Sequence, residues 1–144
     1  MAGTERFSFY AFGHPRILST HDATIEITRS ENLTIRGNCV VGVRASHGLR
    51  DFPDDIKRLL SLDSGRGQLE MRVNDQTVII EGRGAAGLTF QNPIEVVVRK
   101  SGFVSERTLM VHADKAALDI PRLMVKRLMD PGQRIFFELS AWSE

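Results

Sequence analysis

The stretch GQLEMRVNDQTVIIEGRG, residues 67–84, is the clearest guide to the fold. Apolar and polar residues alternate from residue 69 to 73, which is the period of a strand with one buried face. Residues 74–75, Asn-Asp, favour a tight turn, and a partner strand follows at about residues 77–81. This stretch therefore predicts an antiparallel hairpin that covers a hydrophobic core with one face.

Further strands are predicted on both sides of this hairpin. Short segments with β-branched or aromatic residues alternate with turn residues along most of the chain. Within the last of them, inward-facing apolar positions are expected at Ile135, Phe137 and Leu139. The predicted segments are residues 6–12, 22–28, 33–45 with an interruption at Gly37, 87–90, 94–100, 108–112 and 134–142.

Two helices complete the predicted secondary structure. Pro53 suits the first turn of a short helix whose apolar stripe would contain Ile56, Leu59 and Leu60. Residues 113–130 have helical periodicity as well, but a proline at position 121 interrupts them. We therefore expect a short turn followed by a helix there, with Asp119 as the cap of the second piece.

The pattern favours an α+β fold with a mainly antiparallel sheet, barrel-like or strongly curved, and two short-to-medium helices. A parallel doubly wound fold would need a crossover helix between most strands, and the chain has too few helices for that. Its 144 residues suit one domain over residues 1–144, without an evident internal repeat or linker.

Composition limits the possible environments and partners. Nineteen basic and eighteen acidic side chains leave a net charge of +1, which argues against a surface that attracts polyanions everywhere. Cys39 is the single cysteine, so no internal disulfide can form. Without a signal-like N-terminus or an apolar run long enough to span a bilayer, a cytoplasmic protein without membrane contact is expected.

The first polar cluster is FGHPRILSTHDATIEI, residues 12–27. His14 and His21 are candidates for general acid or base catalysis, because imidazole titrates near neutral pH. Their spacing matches no metal-ligand pattern, and no metal or cofactor is predicted. The alternative is that both rings only stabilise turns. Pairing of Cys39 with one of these histidines is a further possibility, against which a buried apolar role stands.

The second polar cluster is RKSGFVSERT, residues 99–108, followed by the start of the last predicted helix. Arginine forks, lysines and hydroxyls next to a helix start suit a phosphate or carboxylate. The alternative is an ordinary solvated loop in which Glu106 pairs with an arginine. The predicted ligand-binding residues are Arg36, Arg99, Lys100, Ser101, Arg107, Thr108 and Lys115.

Three functions compete on this evidence. The first is a binding domain for a phosphorylated small molecule or an RNA backbone. The aromatic residues Phe9, Tyr10 and Phe12 could add base stacking, but their alternation with small residues favours a place in the core. The second is a small enzyme with a histidine acid or base and with Arg107 as stabiliser of negative charge. The third is a structural subunit that forms a homo-oligomer.

The stretches FYAFGHPRILSTHDATIEITRSENLTIRGNCVVGVRA and RKSGFVSERTLMVHADKAA carry a family resemblance. From about Phe9 to Leu139 the chain resembles an archaeal family known as domain of unknown function 371. The resemblance implies an archaeal-type cytoplasmic protein and supplies no activity. The chain departs from the family pattern at Ala23, Asn38 and Gly102, where a threonine and two aspartates are usual.

Overall fold

The structure, a computed structural model, describes residues 3–33 and 38–144. In chain order, its strands and α-helices are β1 (Glu5–Phe12), β2 (Thr24–Thr28), β3 (Val40–Gly42), α1 (Asp54–Leu60), β4 (Gly65–Val73), β5 (Gln76–Arg83), β6 (Glu95–Arg99), β7 (Thr108–Met110), α2 (Arg122–Leu128) and β8 (Arg134–Ser143). A single 3-10 turn precedes each helix, at Leu49–Asp51 and at Ala117–Asp119.

The strands form two four-stranded sheets. The first has the order β1-β8-β4-β5 and is antiparallel throughout, with the predicted hairpin as its β4-β5 pair. Asn74 in the hairpin turn has a φ of 55°, a conformation that asparagine tolerates well. The second sheet has the order β3-β2-β6-β7, in which the central pair is antiparallel and both edge strands pair in parallel.

The α+β class and the two helices are confirmed, but the barrel-like sheet is not. Among the described residues, the two sheets are connected at their edges by the isolated bridges Phe12–Val43 and Arg83–Val111. A single bridge cannot extend into a ladder here, because the edge strands β3 and β7 are only three residues long. The strands therefore remain two sheets rather than one closed barrel.

The order of elements repeats once, which the sequence did not indicate. Three strands, a 3-10 turn, a helix and a strand run from β1 to β4, and the same series runs again from β5 to β8. Even unusual backbone conformations recur in equivalent places. Ser19 and Phe90 both have a φ of 53°, and Arg44 and His112 both have a φ of 52°.

Each repeat is tied to the helix of the other one. The backbone N–H of His14, just after β1, donates to the carbonyl oxygen of Leu128 at the end of α2 (2.8 Å). In the same way, the N–H of Ala85, just after β5, donates to the carbonyl oxygen of Leu60 at the end of α1 (3.0 Å). The two repeats are therefore interlocked rather than placed side by side.

The core lies between the sheets and the helices, as the alternating pattern predicts. Ile135, Phe137 and Leu139 are buried, and so is the expected stripe of α1, Ile56, Leu59 and Leu60. Phe9 stacks on Phe137 with ring centroids 5.0 Å apart. The side chains on the opposite face of the first sheet are accessible to solvent.

Several local predictions need correction. Residues 87–90 form a turn and an irregular segment instead of a strand. Of the strands expected in 33–45, β3 is the one described, and 34–37 lie outside the described residues. Asp119 does not cap α2: its carboxylate accepts the N–H of Ala116 (2.8 Å) and closes the 3-10 turn, while Pro121 occupies the cap position of α2.

None of the helices in the described part of the chain is long and apolar enough to cross a membrane.

The interlock requires glycine where the chain passes the end of a helix. A Cβ added at Gly84 would lie 2.5 Å from the carbonyl oxygen of Leu60, and one at Gly13 would overlap the carbonyl oxygen of Leu128. We expect Gly84→Ala to lower the free energy of unfolding by about 2 to 3 kcal/mol, as overpacking does. Urea unfolding measures this change.

The matched control is Gly132→Ala, because a Cβ at Gly132 meets its nearest atom at 3.4 Å, an ordinary contact. This variant should keep the stability of the wild type to within about 0.5 kcal/mol. Equal stability of Gly84→Ala and Gly132→Ala would contradict the close approach at the helix end.

Candidate functional site

Polar side chains gather on the outer face of the second sheet. Antiparallel pairing of β2 with β6 places Thr24 opposite Arg99 and Thr28 opposite Glu95. Glu26 lies between them on the same face, since alternate residues of a strand point the same way. The segments that lead into β3 and β7 bring Cys39 and Arg107 to this face as well.

Arg99 is held in one orientation by two hydroxyl groups. Its Nε donates to Thr108 Oγ1 (2.8 Å), and its Nη2 donates to Ser105 Oγ (3.2 Å). Thr108 is fully buried, and the two hydroxyl oxygens lie 3.0 Å apart. The guanidinium carbon stands 4.9 Å from the ring centroid of Phe103, an exposed residue of the loop between β6 and β7.

The two arginines of this face differ in how their charge is balanced. Arg107 Nη1 lies 2.5 Å from Glu95 Oε2 and 3.7 Å from Glu26 Oε1. Arg99, by contrast, forms no ion pair with a carboxylate of residues 3–33 or 38–144. Partial burial and the nearby Arg107 lower the pKa of Arg99, and Glu26 opposes them, although an arginine keeps its charge at any physiological pH.

Glu26 and Cys39 form a partly buried pair within the cluster. The thiol Sγ lies 3.9 Å from Glu26 Oε1. Burial raises the pKa of Glu26, Glu95 raises it further, and Arg107 opposes them. Burial also raises the pKa of Cys39, and the carboxyl of Glu26 adds to this effect. Cys39 is therefore a neutral thiol, whereas a nucleophilic cysteine needs a lowered pKa.

His21 adjoins this cluster but is occupied by its own turn. Its Nδ1 accepts the N–H of Ala23 and of Thr24, each at 3.1 Å, and lies 3.0 Å from Thr24 Oγ1. The backbone N–H of His21 donates to the carbonyl oxygen of Asn38, next to Cys39. The ring thus stabilises the turn at the start of β2.

His14 lies in a different place. Its Nδ1 accepts the N–H of Arg16 (3.0 Å), and its side chain lines an open groove together with Arg44 and Gly132. None of the residues around Arg99 lines this groove in the described part of the chain. The two histidines therefore do not form one catalytic pair.

The structure brings some of the predicted ligand-binding residues together and separates others. Arg99, Arg107 and Thr108 come together, whereas Lys100 pairs with Asp119 (3.1 Å) and Lys115 with Asp114 (3.3 Å). The hydroxyl of Ser101 accepts the N–H of Phe103 (3.3 Å) within the loop. Arg36 lies outside the described residues.

The sequence interpretation did not select Glu26 and Glu95 as site residues. Their signal was weak: each is a charged residue on an outward strand position, which is where solvated residues normally stand. Only the pairing of β2 with β6 shows that they face Arg107. No group of three His, Cys, Asp or Glu side chains suited to a metal ion occurs among the described residues.

Comparison with known proteins identifies the family of the chain. The family described as domain of unknown function 371 matches residues 9–142, and the chain belongs to that family. An uncharacterised protein of the archaeon Methanocaldococcus jannaschii is 35% identical over 130 residues, which cover 90% of this chain and 96% of that protein.

Replacing Glu26 by glutamine should change how stability depends on pH. The folded protein holds the Glu26 proton to a higher pH than the unfolded chain, where the pKa is about 4.3. The stability that this proton contributes is complete below about pH 4.3 and is lost as the pH rises through the folded pKa. The free energy of unfolding of the wild type, relative to Glu26→Gln, should therefore decrease with rising pH above about 4.3.

Urea unfolding of both proteins at a series of pH values measures this difference. Parallel curves for the two proteins would show that the folded state does not retain the Glu26 proton.

Cys39 should react slowly with an alkylating reagent. Thiolate is the reactive form, and burial together with Glu26 disfavours it. We expect iodoacetamide near neutral pH to modify folded Cys39 at least about fivefold more slowly than the same thiol in the urea-unfolded chain. Glu26→Gln should speed the reaction in the folded protein. Faster modification of the folded wild type would contradict a neutral thiol.

Proposed function

We propose that the protein binds a small ligand with a phosphate or carboxylate group at Arg99, with Arg107 as a second cation. The single observation that carries this proposal is the state of Arg99. Its guanidinium is fixed by Thr108 and Ser105, yet it forms no ion pair with a carboxylate among the described residues. A positioned and uncompensated guanidinium is the usual basis of bidentate anion recognition.

The remaining donors of Arg99 suit such a ligand. A guanidinium has five N–H groups, and the hydroxyls of Thr108 and Ser105 take two of them. The end formed by Nη1 and Nη2 remains for an anion, because one N–H of Nη1 and the second N–H of Nη2 are parallel and suit a phosphate or carboxylate. Because the orientation is fixed beforehand, less conformational entropy is lost when the ligand binds.

The carboxylates of the cluster set the charge of the site. Glu95 and Glu26 both pair with Arg107, and Glu26 adds its negative charge to the site only when it is ionised. Because its pKa is raised, Glu26 loses its negative charge at a higher pH than an ordinary glutamate does, and the site then becomes more positive. Anion affinity should therefore increase as the pH falls, and Glu26→Gln should weaken this dependence.

An acid–base enzyme is the second candidate, and one observation favours it. Glu26 is a carboxyl group with a raised pKa beside an arginine, which is a common arrangement for a general acid. Glu26 takes the role that the sequence analysis assigned to His14 and His21, because it faces Arg107 on the same surface as Arg99, whereas His14 lies at a separate groove. A ligand on Arg99 would be the substrate in this case.

We also propose a cytoplasmic setting for this binding. A single thiol that is never part of an internal disulfide fits a reducing compartment, where phosphorylated metabolites are available. An assembly role with association of identical copies remains the third alternative.

Calorimetric titration tests the anion site. The probes are inorganic phosphate, citrate and a nucleoside monophosphate, with the uncharged nucleoside as reference, at about 50 and 200 mM NaCl. We expect saturable binding of at least one anion that weakens at the higher salt concentration, and no binding of the nucleoside. Arg99→Gln should weaken the affinity about tenfold or more, because a charge-assisted hydrogen bond is lost.

Two further variants separate the explanations. Arg99→Lys keeps the charge without the planar fork, so it should restore only part of the affinity. Arg58→Gln, an exposed arginine of α1 that pairs with Asp55, should bind like the wild type. Equal affinities of Arg99→Gln and the wild type, or no saturable binding of any anion, would refute the proposed function.

A further inference from the structure

A second concentration of cationic and aromatic side chains lies on the outer face of the first sheet. Strand pairing aligns Tyr10 with Phe136 and Phe12 with Arg134. These residues occupy outward positions, and the rings of Tyr10 and Phe136 are 38% and 50% exposed. Together with Arg44, which follows β3, they form what we call the aromatic–arginine patch: Tyr10, Phe12, Arg44, Arg134 and Phe136.

The members of the patch are in mutual contact. The guanidinium carbon of Arg134 lies 4.9 Å from the ring centroid of Tyr10, 5.5 Å from that of Phe12 and 5.9 Å from that of Phe136. Arg44 stands 4.3 Å from the Phe12 centroid and donates from Nη2 to the carbonyl oxygen of Pro131 (2.6 Å). The rings and the two cations therefore hold each other in place.

The patch keeps its positive charge. Within the described ranges, neither Arg44 nor Arg134 forms an ion pair with a carboxylate. Other arginines of the same face are neutralised: Arg66 pairs with Glu144 (2.8 Å), and Arg72 pairs with Glu70. Among the described residues, the exposed rings of the patch therefore lie beside two cations that no carboxylate neutralises.

From these contacts we infer that the patch binds single-stranded nucleic acid, with bases stacked on Phe136 and Tyr10 and phosphates at Arg134 and Arg44. Exposed ring faces accept unpaired bases of any sequence, and the guanidinium groups bind the phosphates between them. A duplex hides its base faces, so it would lose the stacking contribution. The site is separate from Arg99 and does not depend on the proposed function.

The neighbouring surface offers a path for the strand beyond the patch. Arg44 also borders the open groove of about 610 Å³ that His14, Asn32 and Gly132 line. A chain that leaves Phe12 past Arg44 enters this groove, where His14 and Asn32 present polar groups and Glu31 adds one carboxylate. On the other side of the patch, the next outward residues are Glu70 and Glu138. Their negative charge repels phosphates, so the nucleic acid is expected to contact only this end of the sheet.

A second copy of the chain is the less suitable occupant of the patch. Two copies that met face to face on the two-fold axis of a dimer would bring four uncompensated arginines together, which like-charge repulsion disfavours. A polyanion, by contrast, supplies the charge that the patch lacks.

Fluorescence anisotropy tests this inference. The labelled probes are oligouridylate and oligothymidylate of about eight nucleotides, which distinguish RNA from DNA, and a duplex of equal length. We expect at least one single-stranded probe to bind about tenfold or more tightly than the duplex. Phe136→Ala and Tyr10→Ala should each weaken that binding about tenfold through loss of stacking.

The contribution of the arginines can be measured separately through the salt dependence of binding. Arg134→Gln should weaken binding and reduce the slope of log affinity against log salt concentration by about one. Ile79→Ala, an exposed apolar residue on β5 of the same face, is the matched control and should bind like the wild type. The Phe136→Ala comparison reports on the patch, and the phosphate titrations of Arg99→Gln report on the anion site, so failure of this inference and failure of the anion site are distinguishable.

Three results would overturn the inference. One is equal binding of Phe136→Ala and the wild type by folded proteins, as judged by thermal unfolding. Another is equal affinity for single-stranded and duplex probes. The third is the absence of oligonucleotide binding together with a dimer in sedimentation that Phe136→Ala dissociates, because the patch would then be a surface for self-association.

Discussion

The close contact between a strand end and the end of a helix from the other repeat is the constraint on which the rest of the structure depends. Gly13 and Gly84 let the chain pass directly over the last carbonyl groups of α2 and α1, and the following N–H groups satisfy those carbonyls. Each contact joins residues from different halves of the chain. The sheets, the parallel edge pairs and the loops around Arg99 are all arranged by this exchange.

The repeats share a backbone but carry different chemistry. Glu26 and Val97 face each other across β2 and β6 and occupy equivalent places in the two repeats. Cys39 and Arg107, which directly precede the edge strands β3 and β7, also occupy equivalent places. The first repeat thus contributes the carboxyl of Glu26 and a thiol, while the second contributes both cations and the carboxyl of Glu95. The polar cluster exists because the two sets meet on one face, where each changes the ionisation of the other.

Local patterning predicted the elements well where side-chain direction alone was decisive. The hairpin, the buried stripe of α1 and the inward residues of β8 follow from alternation and helical periodicity. The repeat is hard to detect in the sequence because its two halves share few residues. One common signal is Asp-x-Pro, at residues 51–53 and 119–121, where the aspartate closes the 3-10 turn and the proline begins the helix.

The sequence by itself determined the α+β class, the inner and outer faces of the strands, and the two regions where polar residues gather. Tertiary structure decided which of those residues meet. It paired Lys100 and Lys115 with nearby aspartates, left Arg99 without one among the described residues, and set Tyr10 and Phe12 beside Arg134 and Phe136. The reason is physical: side-chain direction is a local property of a strand, whereas strand partners are chosen by contacts between residues far apart in the chain.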